Sequence, residues 1–281
     1  MSVFTTRVPQ SLRRAAPAGV VAASVVVALL LVAALLPWLL TGQSPLQTDV
    51  AAALQAPSAV HPFGTDQSGR DVFARVVYGA RYSLVVGLGA TAFALLAGLV
   101  IGIASGLAPR VIDGVLSRGI EILMAFPEFL LALIVIAVVG TGEVSIMTAV
   151  ALAAVPAYAR VARVQTFVVS RASYVCAARV LGVHPIASVL RHVLPNTLGP
   201  LLVMATIGVG TAMVSAAGLS FLGLGPKPPT PEWGVILSEG RNFLATAWWI
   251  AVFPGLTITA TVVATSTLGR YLRARSAGRR S

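Results

Sequence analysis

An all-α membrane protein with six transmembrane helices is the fold class this sequence predicts, and three observations predict it. Apolar residues fill 57% of the 281 positions and charged residues only 10%, too few to clothe a soluble surface. Six apolar stretches recur along the chain. They are continuous rather than alternating, which favours helices over the strands of a membrane barrel. The arginines cluster in alternate connecting segments, as loops on one side of a bilayer do.

The first stretch, 20–40, follows Arg7, Arg13 and Arg14 and reaches an interfacial Pro37-Trp38. It exceeds the ~7–15 residues of a signal-peptide core and reads as a retained span. The others are 83–107, 120–139, 144–159, 198–222 and 247–268. About 20 residues cross ~30 Å of hydrocarbon, so the fourth is short and must borrow flanking residues. The chain then divides into a cytoplasmic segment 1–19, the first span 20–40, an extracytoplasmic loop 41–82, a five-helix core 83–269 and a basic tail 270–281. A cytoplasmic loop, 160–196, interrupts the core.

With both termini in the cytoplasm, fifteen basic residues lie inside and five outside (Arg70, Arg75, Arg81, Lys227 and Arg241). The net charge of +11 is therefore topogenic, which removes nucleic acid as a partner. The single cysteine, Cys176, excludes an internal disulfide. No catalytic set is present: there is no GxxxxGK[ST] phosphate loop, no HExxH, and His61, His184 and His192 are scattered. No metal ligand cluster is present either, since His61 and the nearby aspartates lack supporting ligands.

In the loop 160–196, Ser173-Tyr174-Val175-Cys176-Ala177-Ala178-Arg179-Val180-Leu181-Gly182 reads as a short helix. Ser173 is a good N-cap, and Gly182 can take the left-handed conformation that ends a helix. Val175, Ala178, Arg179 and Gly182 share one face, while Ala177 and Ala178 keep one side slim. RHVLPNTLGP follows, where Pro195 and Pro200 bracket the start of the fifth span. Two readings stand: a helix that transmits force to a partner, or one lying on lipid headgroups, held by its arginines.

Four stretches carry a resemblance. AA-x3-G with the later His192, Leu194, Pro195 and Asn196 of RHVLPN is similar to the EAA loop of ABC-importer membrane subunits. HPFGTDQSGRDVFARVVYGARYSL, RGIEILMAFPEFLLAL and EWGVILSEGRNFL…WWIAVFPGLTI resemble the dipeptide/oligopeptide permease branch, specifically its second channel subunit. The likeness runs from about 60 to 273. It implies a type I importer permease fold and a channel-forming subunit that couples ATP hydrolysis elsewhere to alternating access for di- and oligopeptides. It further implies a homologous second permease, two ABC ATPase domains (separate or fused) that hold ATP and magnesium, and an extracytoplasmic solute-binding protein. This chain itself would need no cofactor and would be no enzyme. By resemblance, 173–182 is the ATPase-coupling helix. Two departures stand out. Cys176 replaces the motif glutamate, at what would be N3 of a capping box, and Arg270 follows Gly269 where an acid is common. Related importers carry nickel chelates, haem or sugars. An ATP-independent carrier and a non-transporting scaffold are the rival classes.

The outer motif Gly64-Thr65-Asp66, with Gly69-Arg70-Asp71, supplies tight bends, side-chain turns and an expected Arg70–Asp71 pair. It either folds the loop and seats the second span or meets the solute-binding protein. Within the third span, Glu128 stands ~12 Å beyond the span's start. A carboxylate at that depth lines the translocation path, bonds a second subunit, or marks a misplaced boundary. Glu121 pairs with Arg118 at a helix end. Gly98, Gly102 and Gly106 predict close helix packing. Trp233, Trp248 and Trp249 read as an interfacial belt.

Overall fold

The computed structural model describes residues 18–277, which form ten α-helices and no named strand. Arg7, Arg13, Arg14, Arg279 and Arg280 lie outside those residues. Five helical stretches are long and apolar enough to cross a membrane. They are α1 (Ala18–Leu35), α2 (Val72–Leu107), α5 (Glu143–Ser170), the continuous Pro185–Phe221 and α10 (Trp249–Ala277). A bent pair, α3 (Arg110–Met124) and α4 (Glu128–Val139), turned 95° at the break between them, makes a sixth if the two count as one span.

Helix ends differ from the apolar runs for physical reasons. α2 begins at Val72 because Asp71 caps it, its carboxylate accepting from the Ala74 N–H at 2.6 Å. Residues 72–82 of the expected loop are thus helical. Arg75, buried in ion pairs, hides that start from a hydropathy reading. α5 is not short. It runs on past Arg160 and Arg163 to Ser170, and Arg163 meets Asp113 of α3 through two hydrogen bonds of 2.6 and 2.7 Å. Its end leaves only 171–184 as the link to the next membrane-crossing stretch.

The expected straight third span is broken. Pro127 cannot continue the helix of α3 and disfavours helical backbone before it. Glu128 therefore opens α4 instead of lying two turns into a span. At about 1.5 Å per residue, α4 is ~18 Å long, too short to cross alone. The next stretch starts earlier than expected, through α7 (Pro185–Ser188) and a π turn (Val189–Val193) into α8 (Leu194–Phe221). Pro195, expected just before the span, lies within this helix together with Pro200.

α2 and α5 make the most extensive helix–helix contact. A Cβ at Gly98 would sit 2.5 Å from the Tyr158 Cβ, and one at Gly106 would sit 2.8 Å from the Thr166 Cβ. Gly102 faces Ala162 in the same way, so the expected small-residue groove packs α5 along three turns. A second core joins α2, α8, α10 and the short helix α9 (Trp233–Gly240). The expected tryptophan belt is corrected here. Trp233 and Trp249 are buried, their indole N–H groups donating to the Val76 and Thr65 carbonyls, and Trp248 alone of these three is exposed.

Candidate functional site

Three regions hold the residues singled out by sequence. At the α9 end, the outer motif is buried: Thr65 and Asp66 are 0% exposed and Arg70 and Asp71 4%. Gly64 and Gly69 take positive φ, and a side chain on Gly69 would collide with the Asp49 carbonyl. The Thr65 hydroxyl donates to the Ala52 carbonyl at 2.5 Å and accepts from the Gln55 N–H at 2.8 Å.

Arg70 does not pair with Asp71. Its Nε donates to Asp66 Oδ2 (2.6 Å) and its Nη2 to Glu239 Oε1 (2.9 Å). Arg75 spans the same two acids from Nη1 (2.7 Å) and Nη2 (2.6 Å). Two cations and two anions thus close a ring that ties the loop to α9. Asp71 instead caps α2 and meets His61 Nδ1 at 2.8 Å. Glu239 was missed by sequence reasoning, because nothing local announces a partner 164 positions from Arg75. Glu232 caps α9 by accepting from the Gly234 and Val235 N–H groups. Burial pushes its carboxyl above the usual range, and those two bonds act against the shift.

At the opposite end, α6 (Ser173–Val180) is the short helix the sequence predicts. Its cap is shifted: Ala172 precedes it and the Ser173 side chain makes no capping bond. Cys176 is therefore not at N3, and a glutamate there could not close a capping box. The C-terminus is as expected. Gly182 has φ +79, its N–H donates to the Arg179 carbonyl (3.0 Å), and the Val183 N–H donates to the Ala178 carbonyl (3.0 Å). These two bonds form the Schellman arrangement.

Val175 anchors α6 in a small core with Val169 and Val193, and the Tyr174 ring lies edge-on to His192 at 6.1 Å. Asn196 Nδ2 donates to the His192 carbonyl at 2.7 Å, steadying the helix beside Pro195. Leu194 is half-buried against the α2–α5–α8 core. The rest of α6 faces outward: Cys176, Ala177 and Arg179 are exposed, and Leu181 is 82% and Val180 88% exposed. Arg118 and Glu121 form the expected exposed pair at 3.0 Å.

The third region is a cavity of about 240 Å³ between α2, α5 and α8. Glu128 lines it, with Thr91, Tyr158, Arg273 and small or aliphatic side chains. Among the described residues, no three histidines, cysteines or acids gather in a metal-holding group.

Comparison with known proteins places this architecture. The solved MetNI methionine ABC transporter, in its inward-facing form, overlays 72% of this chain and 96% of its own with a TM-score of 0.58 at 19% identity. That is the type I importer permease fold. The "Dipeptide transport system permease protein DppC" of Alkalihalophilus pseudofirmus is 40% identical, covering 91% of this chain and 84% of its own. The "Di/tripeptide transport system permease protein DppC" of Pseudomonas aeruginosa is 39% identical over 75% of this chain and 69% of its own. The "Glutathione transport system permease protein GsiD" of Escherichia coli is 40% identical over 90% and 83%. Residues 98–278 match the family described as "Binding-protein-dependent transport system inner membrane component", and the chain belongs to that family of multi-pass bacterial inner-membrane proteins.

Proposed function

We propose that this chain is one channel-forming subunit of an ATP-driven importer for di- and oligopeptides. α6 is the observation that carries the coupling role. It is closed at its C-terminus, anchored by one buried valine, and presents exposed Leu181 and Val180 between two membrane-crossing helices. These two adjacent exposed apolar side chains support a docking contact there. Partner ATPase domains, holding ATP and magnesium, dock there on the cytoplasmic side, which is also the side the arginine distribution assigns to both termini. A homologous second permease completes the channel, and an extracytoplasmic solute-binding protein delivers the solute. Closure of the ATPases on ATP moves α6 and opens the cavity outward, and hydrolysis resets it inward.

The substrate reading follows the relatives named for dipeptides, di/tripeptides and glutathione. These solutes share a short amide chain with a free ammonium group. The test is uptake of labelled dipeptide into proteoliposomes holding the assembled complex and its binding protein. ATP-dependent accumulation is expected. ATP hydrolysis without peptide uptake removes the peptide assignment and leaves the importer class. Absence of any associated ATPase removes the importer reading altogether.

A further inference from the structure

The cavity between α2, α5 and α8 lies at the middle of the bundle, because Thr91, Tyr158 and Gly208 each stand near the midpoint of their helices. Most of its wall is apolar, including Ala90, Val150, Met204 and Ile207. Polar groups interrupt that wall: Thr211, whose hydroxyl donates to the Gly208 carbonyl at 2.9 Å, the Arg273 guanidinium, and two further hydroxyls. Tyr158 is 3% exposed and Thr91 5%, and neither hydroxyl has a hydrogen-bond partner. Buried polar groups without partners are rare and each calls for a physical reason.

Thr91 is the more telling. A helical threonine ordinarily bonds back to the carbonyl four residues earlier, as Thr148, Thr257 and Thr261 do here. Thr91, Thr166 and Thr197 make no such bond, and of these three Thr91 is the one that lines the cavity. The Tyr158 hydroxyl is held against bare backbone, since a side chain on Gly208 would collide with it. Glu128 completes the set from the first turn of α4, and the bend at Pro127 is what starts α4 there. A carboxylate among membrane helices is expensive unless it faces water or a partner.

The chemistry of these groups selects a ligand. An ionised carboxylate only accepts hydrogen bonds, and each hydroxyl carries accepting lone pairs. A primary ammonium offers three donors and a positive charge, matching three acceptors of which one is anionic. A cavity of about 240 Å³ has room for the amino-terminal residue of a peptide. We infer that Glu128, Thr91 and Tyr158 form a transit site for the α-ammonium group of the passing peptide. This rests on the peptide-importer reading.

The test uses the purified permease–ATPase complex without binding protein. Binding of Ala-Phe is compared with that of N-acetyl-Ala-Phe and of phenethylamine, a non-peptide ammonium, while Ala-Phe uptake is followed in proteoliposomes of the full system. Wild type is expected to bind Ala-Phe about tenfold more tightly than the acetylated peptide, the scale of one charge-assisted hydrogen bond. Glu128→Gln is expected to erase that difference and Glu128→Asp to retain part of it. Tyr158→Phe removes one acceptor and keeps the ring. It is expected to weaken Ala-Phe binding about fivefold while leaving the acetylated peptide unchanged, and it decides the matter should Glu128→Gln fail to assemble. No detectable binding, equal binding of the two peptides by wild type, or discrimination that survives Glu128→Gln overturns the site. If uptake of Ala-Phe persists in that case, the importer reading stands without it. If Ala-Phe is not taken up but phenethylamine binds and Glu128→Gln releases it, the ammonium site stands and the peptide assignment fails.

Discussion

The two ends of this bundle solve the problem of surface in opposite ways. At the α9 end, Arg70, Arg75, Asp66 and Glu239 neutralise one another in a nearly dry ring, and Trp233 and Trp249 fill the space around it. At the α6 end, one small valine core holds a helix whose leucine and last valine stand in the open. The first end is complete within this chain. The second leaves apolar side chains uncovered by this chain, and the proposed coupling role rests on that difference.

The largest effect is expected at the completed end. Arg75→Ala leaves Asp66 and Glu239 short of a charge partner inside the fold. Removing one member of a buried ion pair costs about 3–5 kcal/mol, so thermal unfolding of the purified complex is expected to show a large loss or no folded protein. A melting temperature equal to wild type breaks the comparison. Next, Gly102→Leu forces a side chain into α5 and is expected to cost at least about 1–3 kcal/mol by overpacking, read in the same way.

The α6 end is expected to respond differently. Leu181→Asp is expected to change stability by no more than about 0.5 kcal/mol, because the residue is exposed, yet to abolish co-purification of the ATPases. Gly182→Ala adds a Cβ where φ is +79 but meets no neighbour, so a cost of about 1 kcal/mol is expected. The smallest effect is expected from Cys176→Glu. With Ala172 in the capping position, the glutamate closes no capping box, and a shift within about 0.5 kcal/mol is expected.

How much of this was legible in the sequence depended on whether a residue acts locally. Continuous apolar runs announced the spans, Gly98, Gly102 and Gly106 announced the α2–α5 groove, and Gly182 announced the end of α6. Helix ends were obscured at two places where a charge is paired inside the fold. Arg75 hid the first turns of α2, and Arg163, matched to Asp113 across 50 positions, hid the last turns of α5. The bend at Pro127 was written plainly in Ala125-Phe126-Pro127-Glu128, but a hydropathy window averages across it. The ring was not legible, because Glu239 and Arg75 meet only through the tertiary fold. Trp233 misled for a related reason: an indole suits a membrane interface and a buried contact with the Val76 carbonyl equally well.

Coupling through α6 is the central claim. The direct measurement is ATP-dependent dipeptide uptake by proteoliposomes carrying the assembled complex, wild type against Leu181→Asp, with folding of the variant confirmed by its melting temperature. Uptake by wild type, lost in a variant that melts normally, is the predicted result. A folded Leu181→Asp complex that takes up peptide at the wild-type rate contradicts it.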